Sequence, residues 1–350
     1  VCVGLGADDP GPAKTFPMDP VLLVAGTEKE GDPKWFVDRG GFRYTFADEA
    51  SRVKFEASPR QYEIADGGAC ARMGPLSGAC SVQNWAVHGG TIYVFASPQC
   101  RAAFIKSPEK YLESEEPKPT VGEKEAARGR ELLEKAVVWM GGRERIAALK
   151  SVRESATRTV QSGGKDYRQR QTVELVMPGG YCSTEAWDDS AWASACEGER
   201  GAVKSSRGVT EYAPSQVAAL RRQQGHHPLV IMAAAARGGL ACGAAGKDEL
   251  DGVAVELVDV WMNGAVTRMW IDPASGRVLR MRFRGRGPSA TMGIVELTAT
   301  RYASAGGVTW PTGWTAKFEG KDAPDLARPV DSVEVNADID TKAWFAKGDK

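Results

Sequence analysis

The sequence lacks both an apolar run long enough to cross a membrane and an excess of charge of one sign. Its longest apolar run, residues 229–236, is far shorter than the roughly 20 residues that a membrane-spanning helix requires. The 45 basic and 45 acidic residues cancel to a formal net charge of zero. Because nucleic acids and anionic membranes select basic surfaces, this balance favours neither as a partner.

Common catalytic motifs are also missing. The sequence contains no GxSxG, no Walker loop, no HExxH and no GxGxxG that opens a helix after a strand. Its three histidines are His88 and the adjacent pair His226 and His227, none of them beside a recognisable nucleophile. The sequence therefore predicts a protein without catalytic activity. The adjacent histidines can bind a metal, but solvated polar residues are the favoured interpretation because no cysteine or carboxylate lies at helical spacing from them.

Cysteines are few and carry no CxxC motif, so zinc-ribbon, thioredoxin and haem-attachment sites lack their spacing. The set of seven is odd, so at least one thiol is expected to be unpaired, to bind something or to carry a lipid. The chain begins with valine, which favours a removed leader and export. Cys2 is then a candidate for a bacterial lipid anchor, with a free thiol as the alternative. Cys182 and Cys196 lie equally far from a predicted turn at 188–190, which predicts a disulfide, with two free thiols as the alternative.

An internal repeat is the most specific feature of the sequence. Residues 40–62 and 89–111 align at a constant offset without a gap, and their shared positions include Gly40/Gly89, Gly41/Gly90, Tyr44/Tyr93, Phe46/Phe95, Arg52/Arg101, Phe55/Phe104, Pro59/Pro108 and Tyr62/Tyr111. Each copy predicts two strands joined by a Gly-Gly turn and followed by a short helix. Asp48 and Ser97 are the expected helix caps, and Phe55 and Phe104 are expected to point back at the aromatic strand face. Each unit is too small to be stable alone, so the two must share a core.

Residues 17–115 resemble the YHS domain family, which is related to the TRASH-type metal-binding modules. The resemblance is carried by DPV at 19–21, YxF at 44–46, FxxxPxxY at 55–62, GGACA at 67–71 and TIYVF at 91–95. It implies a small ββα fold, with a link to metal or redox handling in some relatives.

A metal site is a second hypothesis for this part of the chain. Its candidate ligands are Cys70, Cys80, His88 and Cys100, because thiolate and imidazole are donors that Zn and Cu(I) prefer. The spacings match no named motif, and copy one has Ser51 where copy two has Cys100. Buried structural cysteines or one disulfide are the alternative.

The second half of the chain follows an acidic, proline-bearing stretch at 113–123, which predicts a linker. Leu132, Leu133, Val137 and Met140 then recur at helical spacing within 123–141. Alternating strand patterns follow, interrupted by a helix-permitting stretch at 214–237, and residues 272–276 (DPASG) predict a hairpin turn.

Four segments of this half, at 140–152, 270–281, 307–314 and 335–345, resemble the LolA-like superfamily of outer-membrane lipoprotein-sorting proteins. The resemblance implies a curved antiparallel sheet, or half-barrel, packed on helices around an apolar cavity. Aromatic and methionine side chains suit such a cavity, although core packing is their ordinary role. The candidates are Trp261, Met262, Met269, Trp270, Met281, Phe283, Met292, Trp310 and Trp314.

The predicted fold class is α+β, a duplicated ββα module followed by a curved antiparallel β-sheet packed on helices. The expected divisions are a disordered segment at 1–16, a YHS-like tandem at 17–115, a linker at 116–123 and a LolA-like domain at 124–350. The predicted function is that of an exported, non-catalytic envelope or periplasmic protein whose β-domain binds a lipid, acyl chain or other apolar molecule. The alternatives are a Cu or Zn sensor or chaperone acting through the N-terminal cysteines, and an assembly factor that binds another envelope protein.

Overall fold

The computed structural model describes residues 13–346, except 163–164, 188–189, 207 and 328–329. Cys2, the candidate lipid anchor, and the predicted turn residues 188–189 therefore lie outside the described residues. The chain is an α+β protein dominated by antiparallel strands. No helix within the described ranges combines the length and apolar character needed to cross a membrane.

The N-terminal part contains two strand-strand-helix units. In chain order its elements are β1 (Lys14–Phe16), α1 (Pro20–Val24), β2 (Asp32–Arg39), β3 (Phe42–Phe46), α2 (Glu49–Ala57), α3 (Pro59–Tyr62), β4 (Ser81–His88), β5 (Thr91–Phe95) and α4 (Pro98–Lys106). Strands β4 and β5 and helix α4 begin and end 49 residues after β2, β3 and α2. The offset of the sequence repeat is thus also the offset of the elements.

The helix caps and aromatic contacts predicted for the two copies are confirmed. Asp48 Oδ1 accepts a hydrogen bond from Ser51 N at 2.9 Å, and Ser97 Oγ accepts one from Cys100 N at 3.2 Å. The rings of Phe55 and Tyr44 have centroids 4.9 Å apart. In the second copy, Phe104 contacts Tyr93 and Phe95 at centroid distances of 5.2 and 5.1 Å. Both copies contribute to one hydrophobic core, as expected for units too small to fold alone.

Strand β1 corrects the expectation of a disordered segment through residue 16. Lys14–Phe16 pairs in parallel with β3, and the Phe16 side chain is fully buried. Its ring lies edge-on to Trp85, with centroids 6.3 Å apart. A three-residue strand has too little alternation to be recognised in sequence, whereas its position in the structure is set by that buried ring.

The described residues of the second part of the chain form two seven-stranded antiparallel sheets and five α-helices. The helices are α5 (Glu123–Trp139), α6 (Arg143–Ala147), α7 (Pro214–Gly225), α8 (Pro228–Arg237) and α9 (Thr341–Phe345). The strands of the first sheet are β6 (Ser151–Ser162), β7 (Lys165–Val176), β8 (Gly180–Trp187), β9 (Ser190–Glu197), β10 (Arg200–Ser205), β11 (Gly208–Glu211) and β19 (Ser332–Val335). Those of the second are β12 (Ala241–Leu250), β13 (Val253–Met262), β14 (Ala265–Ile271), β15 (Val278–Arg286), β16 (Met292–Ala305), β17 (Val308–Phe318) and β18 (Lys321–Asp322).

Each of these sheets is a simple antiparallel series. The first has the order β11-β10-β9-β8-β7-β6-β19 and the second the order β12-β13-β14-β15-β16-β17-β18. Helices α5 to α8 share one hydrophobic core with both sheets. The predicted helical stripe lies in that core, because Leu132, Leu133, Val137 and Met140 are all at most 2% exposed.

The predicted turn between β14 and β15 is confirmed and also holds a helix in place. Gly276 adopts a φ of +81° and donates its N–H to the carbonyl of Asp272 at 2.8 Å. A side chain here would meet the backbone carbonyl of Lys135 in α5. The Nζ of Lys135 in turn donates to the carbonyl of Pro273 at 3.0 Å. Glycine is therefore needed both for the positive φ and for the close approach of α5.

Buried polar contacts join the N-terminal core to the second part. Gln216 in α7 is 6% exposed, and its Nε2 donates to the carbonyl of Pro75 at 2.7 Å. Leu76 packs against the core of the two large sheets. The end of the N-terminal part, just before the linker, is also held, because Arg286 Nη2 donates to the carbonyl of Tyr111 at 3.2 Å.

Candidate ligand-binding cavity

A partly open cavity of about 300 Å³ lies between the two large sheets and the junction of α7 and α8. Inward-facing residues of β6, β7 and β8 form one wall, and residues of β15, β16 and β17 form the opposite wall. The apolar lining residues are Ala156, Val173, Tyr181, Ala219, Pro228, Ala265, Met281, Phe283, Met292, Val295, Leu297, Pro311, Trp314, Leu326 and Val330. Its volume lies at the lower end of the roughly 300–1,000 Å³ typical of small-molecule sites.

Cross-strand pairing explains why apolar side chains meet on the β15–β16 wall. Met281 pairs with Leu297, and Phe283 pairs with Val295, so each pair projects from the same face of the sheet. Arg282 lies between them in sequence and faces the other side. Alternation along two adjacent strands thus builds a continuous apolar surface towards the cavity.

A buried carboxylate lies in the cavity lining. Glu154 in β6 is 9% exposed and accepts a hydrogen bond from Trp310 Nε1 at 2.7 Å. Its second oxygen lies 3.3 Å from His227 Nε2. Burial disfavours the ionised form of Glu154, but its interactions with His227 and Trp310 outweigh that effect and hold the pKa below its usual value. Glu154 is therefore a buried, ionised group at neutral pH.

The tautomer of His227 follows from its other ring nitrogen. His227 Nδ1 accepts a hydrogen bond from the backbone N–H of Leu229 at 3.3 Å. An accepting nitrogen carries no proton, so in the neutral ring the hydrogen is on Nε2 and points to Glu154. Both ring nitrogens of His227 thus have partners, as do both carboxylate oxygens of Glu154.

His226 also belongs to the cavity wall. Its ring stacks on Phe283 with centroids 4.1 Å apart, and its Nδ1 lies 2.7 Å from Thr267 Oγ1. Burial, with a smaller contribution from the charge of Arg222, lowers the pKa of His226 to about 3. The ring is therefore neutral at physiological pH and acts as an aromatic wall.

Gln171 in β7 is a polar residue without a complete set of partners. It lines the cavity, is 5% exposed, and its Nε2 has no hydrogen-bond partner among the described residues. Two residues earlier on the same strand face, the Nε2 of Gln169 donates to Glu185 Oε2 at 2.8 Å. The unpaired donor therefore occurs at the position that faces the cavity.

The linker contributes an ion-pair cluster to the cavity lining. The carboxylate of Glu113 accepts from Arg286 Nη2 at 2.8 Å and from Arg222 Nη2 at 3.1 Å. All three side chains are at most 22% exposed. One carboxylate thus connects α7, β15 and the linker.

Residues after Glu113 hold the linker against β13 and β14. Glu116 N donates to the carbonyl of Gly264, and Glu116 Oε2 accepts from Val266 N, each at 2.8 Å. Trp261 Nε1 donates to the carbonyl of Glu116 at 2.8 Å. The segment predicted as a free linker therefore begins as a strap, here defined as residues 113–116, that is fixed to the sheet and lines the cavity.

The structure divides the aromatic and methionine residues predicted for the cavity. Met281, Phe283, Met292 and Trp314 line it. Trp310 is fully buried beside it, where its indole N–H is bound to Glu154. Met262 and Met269 pack with the main core. These three contribute to the surroundings of the cavity rather than to its lining.

Two predicted cavity residues lie elsewhere. Trp270 is in a separate cluster with Leu250 and Leu257, and its Nε1 donates to Asp248 Oδ2 at 2.9 Å. Trp261 binds the strap, as described above. Because consecutive strand residues face opposite sides of a sheet, Met269 and Trp270 cannot both point inward.

The predicted metal ligands do not form a metal site. Cys70 and Cys80 are buried neighbours, and the hydrogen bond between their thiols lowers the pKa of Cys70 and raises that of Cys80. His88 instead packs edge-on against Phe104, with ring centroids 6.0 Å apart. In the part of the chain that is described, no group of three or more His, Cys, Asp or Glu residues is placed to hold a metal ion. Two thiols without a third donor do not fit the closed Zn set proposed from the sequence.

The predicted disulfide between Cys182 and Cys196 is wrong. Cys196 pairs with Tyr181, and Cys182 pairs with Ala195. The cysteines are therefore offset by one residue across the two strands, which places them on opposite faces of the sheet. Both are buried free thiols.

Fold and cavity together define an antiparallel α+β protein with an internal apolar site. No family model and no curated protein matches the chain. Among solved structures, the chain is similar to a domain described as that of an outer membrane lipoprotein-sorting protein from Vibrio parahaemolyticus (10% identity, TM-score 0.40). It is also similar to a DUF1329 family protein from Desulfovibrio piger (10%, 0.41) and to a LolA superfamily protein from Nitrosomonas europaea (14%, 0.41). Each similarity covers 63% of this chain and 97% of the other.

Proposed function

We propose that this protein is a non-catalytic binding protein that holds a single apolar chain, such as an acyl group of a lipid, between its two large sheets. The observation that carries the proposal is the partly open cavity with its mostly apolar lining. Water gains little from contact with such a surface, so burial of an apolar ligand there is favourable by roughly 25 cal/mol per Å². Its small volume favours one chain over a lipid with several.

The polar groups of the cavity support binding rather than catalysis. Glu154 and His227 resemble an acid–base pair, but their hydrogen bonds to Trp310 and to the backbone of Leu229 occupy the atoms that a proton transfer would use. The low pKa of His226 keeps that ring from accepting a proton near pH 7. These groups shape and close the wall.

The finer parts of the proposal come from the sequence. A periplasmic or envelope location, a curved sheet of the LolA type and a YHS-like tandem at the N-terminus remain predictions. Within the proposal, the N-terminal part supports the cavity by holding the strap and α7 in place. A metal sensor or a protein-binding assembly factor is not favoured by any contact described above.

The proposal is tested with N-phenyl-1-naphthylamine, an uncharged probe whose fluorescence rises in apolar surroundings. We expect saturable binding of one probe per chain, together with displacement by an acyl ester. Mass spectrometry of organic extracts from the purified protein should find a co-purifying molecule with an apolar chain. Absence of both probe binding and an extracted ligand would contradict the proposal.

The ion pairs that hold the strap are expected to control how fast a ligand leaves the cavity. Glu113→Gln removes the charge that joins Arg222 and Arg286, so the strap should open more often. We expect the rate of probe release, measured by stopped-flow fluorescence, to rise by about tenfold, which corresponds to about 1.4 kcal/mol. The control is Glu115→Gln, which changes an exposed glutamate of the same segment. Equal release rates for the two variants would show that the ion-pair cluster does not hold the strap.

A further inference from the structure

Among the described residues of the cavity lining, Gln171 Nε2 is a buried hydrogen-bond donor without a partner, and we infer that the ligand carries an uncharged carbonyl group, an ester or amide, that accepts from it. This inference rests on the proposed function, since it specifies which apolar molecule the cavity selects. It is carried by the placement of Gln171 and by the charge of the wall beside it.

The buried amide of Gln171 carries an energetic cost because its donor is unpaired. Gln171 is 5% exposed, and its Nε2 is buried without a partner among the described residues. Leaving such a donor unsatisfied costs roughly 1–3 kcal/mol, and more than 90% of comparable groups in proteins have a partner. A ligand acceptor in the cavity would remove that cost.

The missing partner is local to Gln171. Among the described residues, its buried polar neighbours on this sheet face are paired: Glu154 with Trp310 and His227, and Gln169 with Arg158 and Glu185. Gln171 pairs across the sheet with Ala156, whose small side chain leaves space beside the amide. Both residues line the cavity. The free space and the free donor therefore coincide.

Charge beside Gln171 also bears on the ligand. Glu154 is on the same inner face of β6 as Ala156, two residues away, and its interactions with His227 and Trp310 hold its pKa below the usual value. Of the arginines in the lining, Arg222 and Arg286 are bound to Glu113, and Arg284 Nη2 donates to the carbonyl of Glu109 at 3.4 Å. A free carboxylate next to Gln171 would lie near the carboxylate of Glu154, whereas an ester or amide carbonyl adds no charge there.

The experiment compares three probes on the full chain. These are the fluorescent polyene cis-parinaric acid, its methyl ester, and N-phenyl-1-naphthylamine, which has no carbonyl. We expect the wild-type protein to bind the ester at least about fivefold more tightly than the acid at pH 7.5. Gln171→Met, which keeps the side-chain length and removes the donor, should weaken ester binding by about fivefold while changing naphthylamine binding by less than about twofold; a neutral hydrogen bond of about 1 kcal/mol corresponds to that factor.

The matched control is Gln83→Met, the same change at an exposed glutamine of β4 that lies outside the cavity lining. It should leave the affinities of all three probes within about twofold of wild type. Gln171→Leu serves as a second variant, and thermal melts of both Gln171 variants should be no lower than wild type, because each removes an unsatisfied donor.

The possible results separate the two proposals. If naphthylamine binds but Gln171→Met weakens the ester no more than it weakens naphthylamine, the amide is satisfied by water and the inference fails, while the proposed function stands. If the acid binds as tightly as the ester, the uncharged class is wrong. If no probe binds to the wild-type protein, the proposed function and this inference fail together.

Discussion

Glu154→Ala is expected to lower the free energy of unfolding by about 2–6 kcal/mol, because each of two buried donors that lose their acceptor costs about 1–3 kcal/mol. The substitution leaves the indole N–H of Trp310 and the Nε2–H of His227 buried without an acceptor. It also opens a space in the wall of the cavity, which adds to the cost. Urea titration followed by tryptophan fluorescence measures the change.

The matched control for this prediction is Glu131→Ala. Glu131 pairs with Arg128 and Lys135 along α5, but its side chain is 53% exposed. Exposed pairs contribute little, so we expect a loss of at most about 0.5 kcal/mol. Comparable losses for the two variants would show that the Glu154 cluster is not the buried network described above.

The same residue predicts a pH dependence. The pKa of Glu154 is lower in the folded state than in the unfolded state, where an ordinary glutamate titrates near about 4.3. The ionised Glu154 therefore makes its full contribution to the free energy of unfolding above the pKa of the unfolded state. That contribution is lost as the pH falls through the pKa of the folded state. The difference in unfolding free energy between wild type and Glu154→Ala should narrow below about pH 4. A difference that stays constant between pH 7 and pH 3 would contradict this assignment.

Ala156→Trp should reduce the affinity for N-phenyl-1-naphthylamine by at least about tenfold, or about 1.4 kcal/mol. Ala156 lines the cavity on β6 and faces the β15–β17 wall, so an indole there occupies part of the roughly 300 Å³ available to a ligand. Because the new side chain fills existing space, the fold is expected to be retained. Fluorescence titration measures the affinity, and circular dichroism checks the fold.

Ala191→Trp is the control for the filled cavity. It makes the same substitution at an exposed position of β9, outside the cavity lining. Probe affinity should stay within about twofold of wild type. If the two variants bind the probe equally well, the probe occupies a different site and the cavity loses its proposed role.

Helix caps, helix faces and turns could be predicted from the sequence, because the interactions that form them join residues only a few positions apart. The caps at Asp48 and Ser97, the stripe on α5 and the turn at Gly276 each depend on contacts close in sequence or on a required backbone angle. The 49-residue offset likewise predicted where elements recur, because equal sequence patterns favour equal local structure. Several of the aromatic and methionine residues proposed for the cavity do line it, since strand alternation concentrates them on inner faces.

The sequence-based predictions were wrong where the result depends on which face of a sheet a residue occupies and on the pairing register of neighbouring strands. A spacing count placed Cys182 and Cys196 together, but a one-residue offset across the strands separates them to opposite faces. The sequence favours solvated side chains for His226 and His227, whereas in the structure both rings are held in the cavity wall by Thr267 and Glu154. The acidic, non-periodic composition of residues 113–123 predicts a linker but gives no signal for the contacts that Glu113 and Glu116 make with the sheet. None of these contacts has a signal within a short window of sequence.

The sequence by itself determined the α+β character of this protein, its repeated N-terminal units and the strands and helices of the second part. Those properties follow from periodicity, turn chemistry and capping, which act over a few residues. Only the tertiary structure decided that a cavity exists, that Glu154 is a buried charge and that Gln171 lacks a partner. Glu154 and Trp310 are 156 positions apart, and whether a polar side chain meets water, a partner or an empty space depends on which distant strands the fold brings beside it.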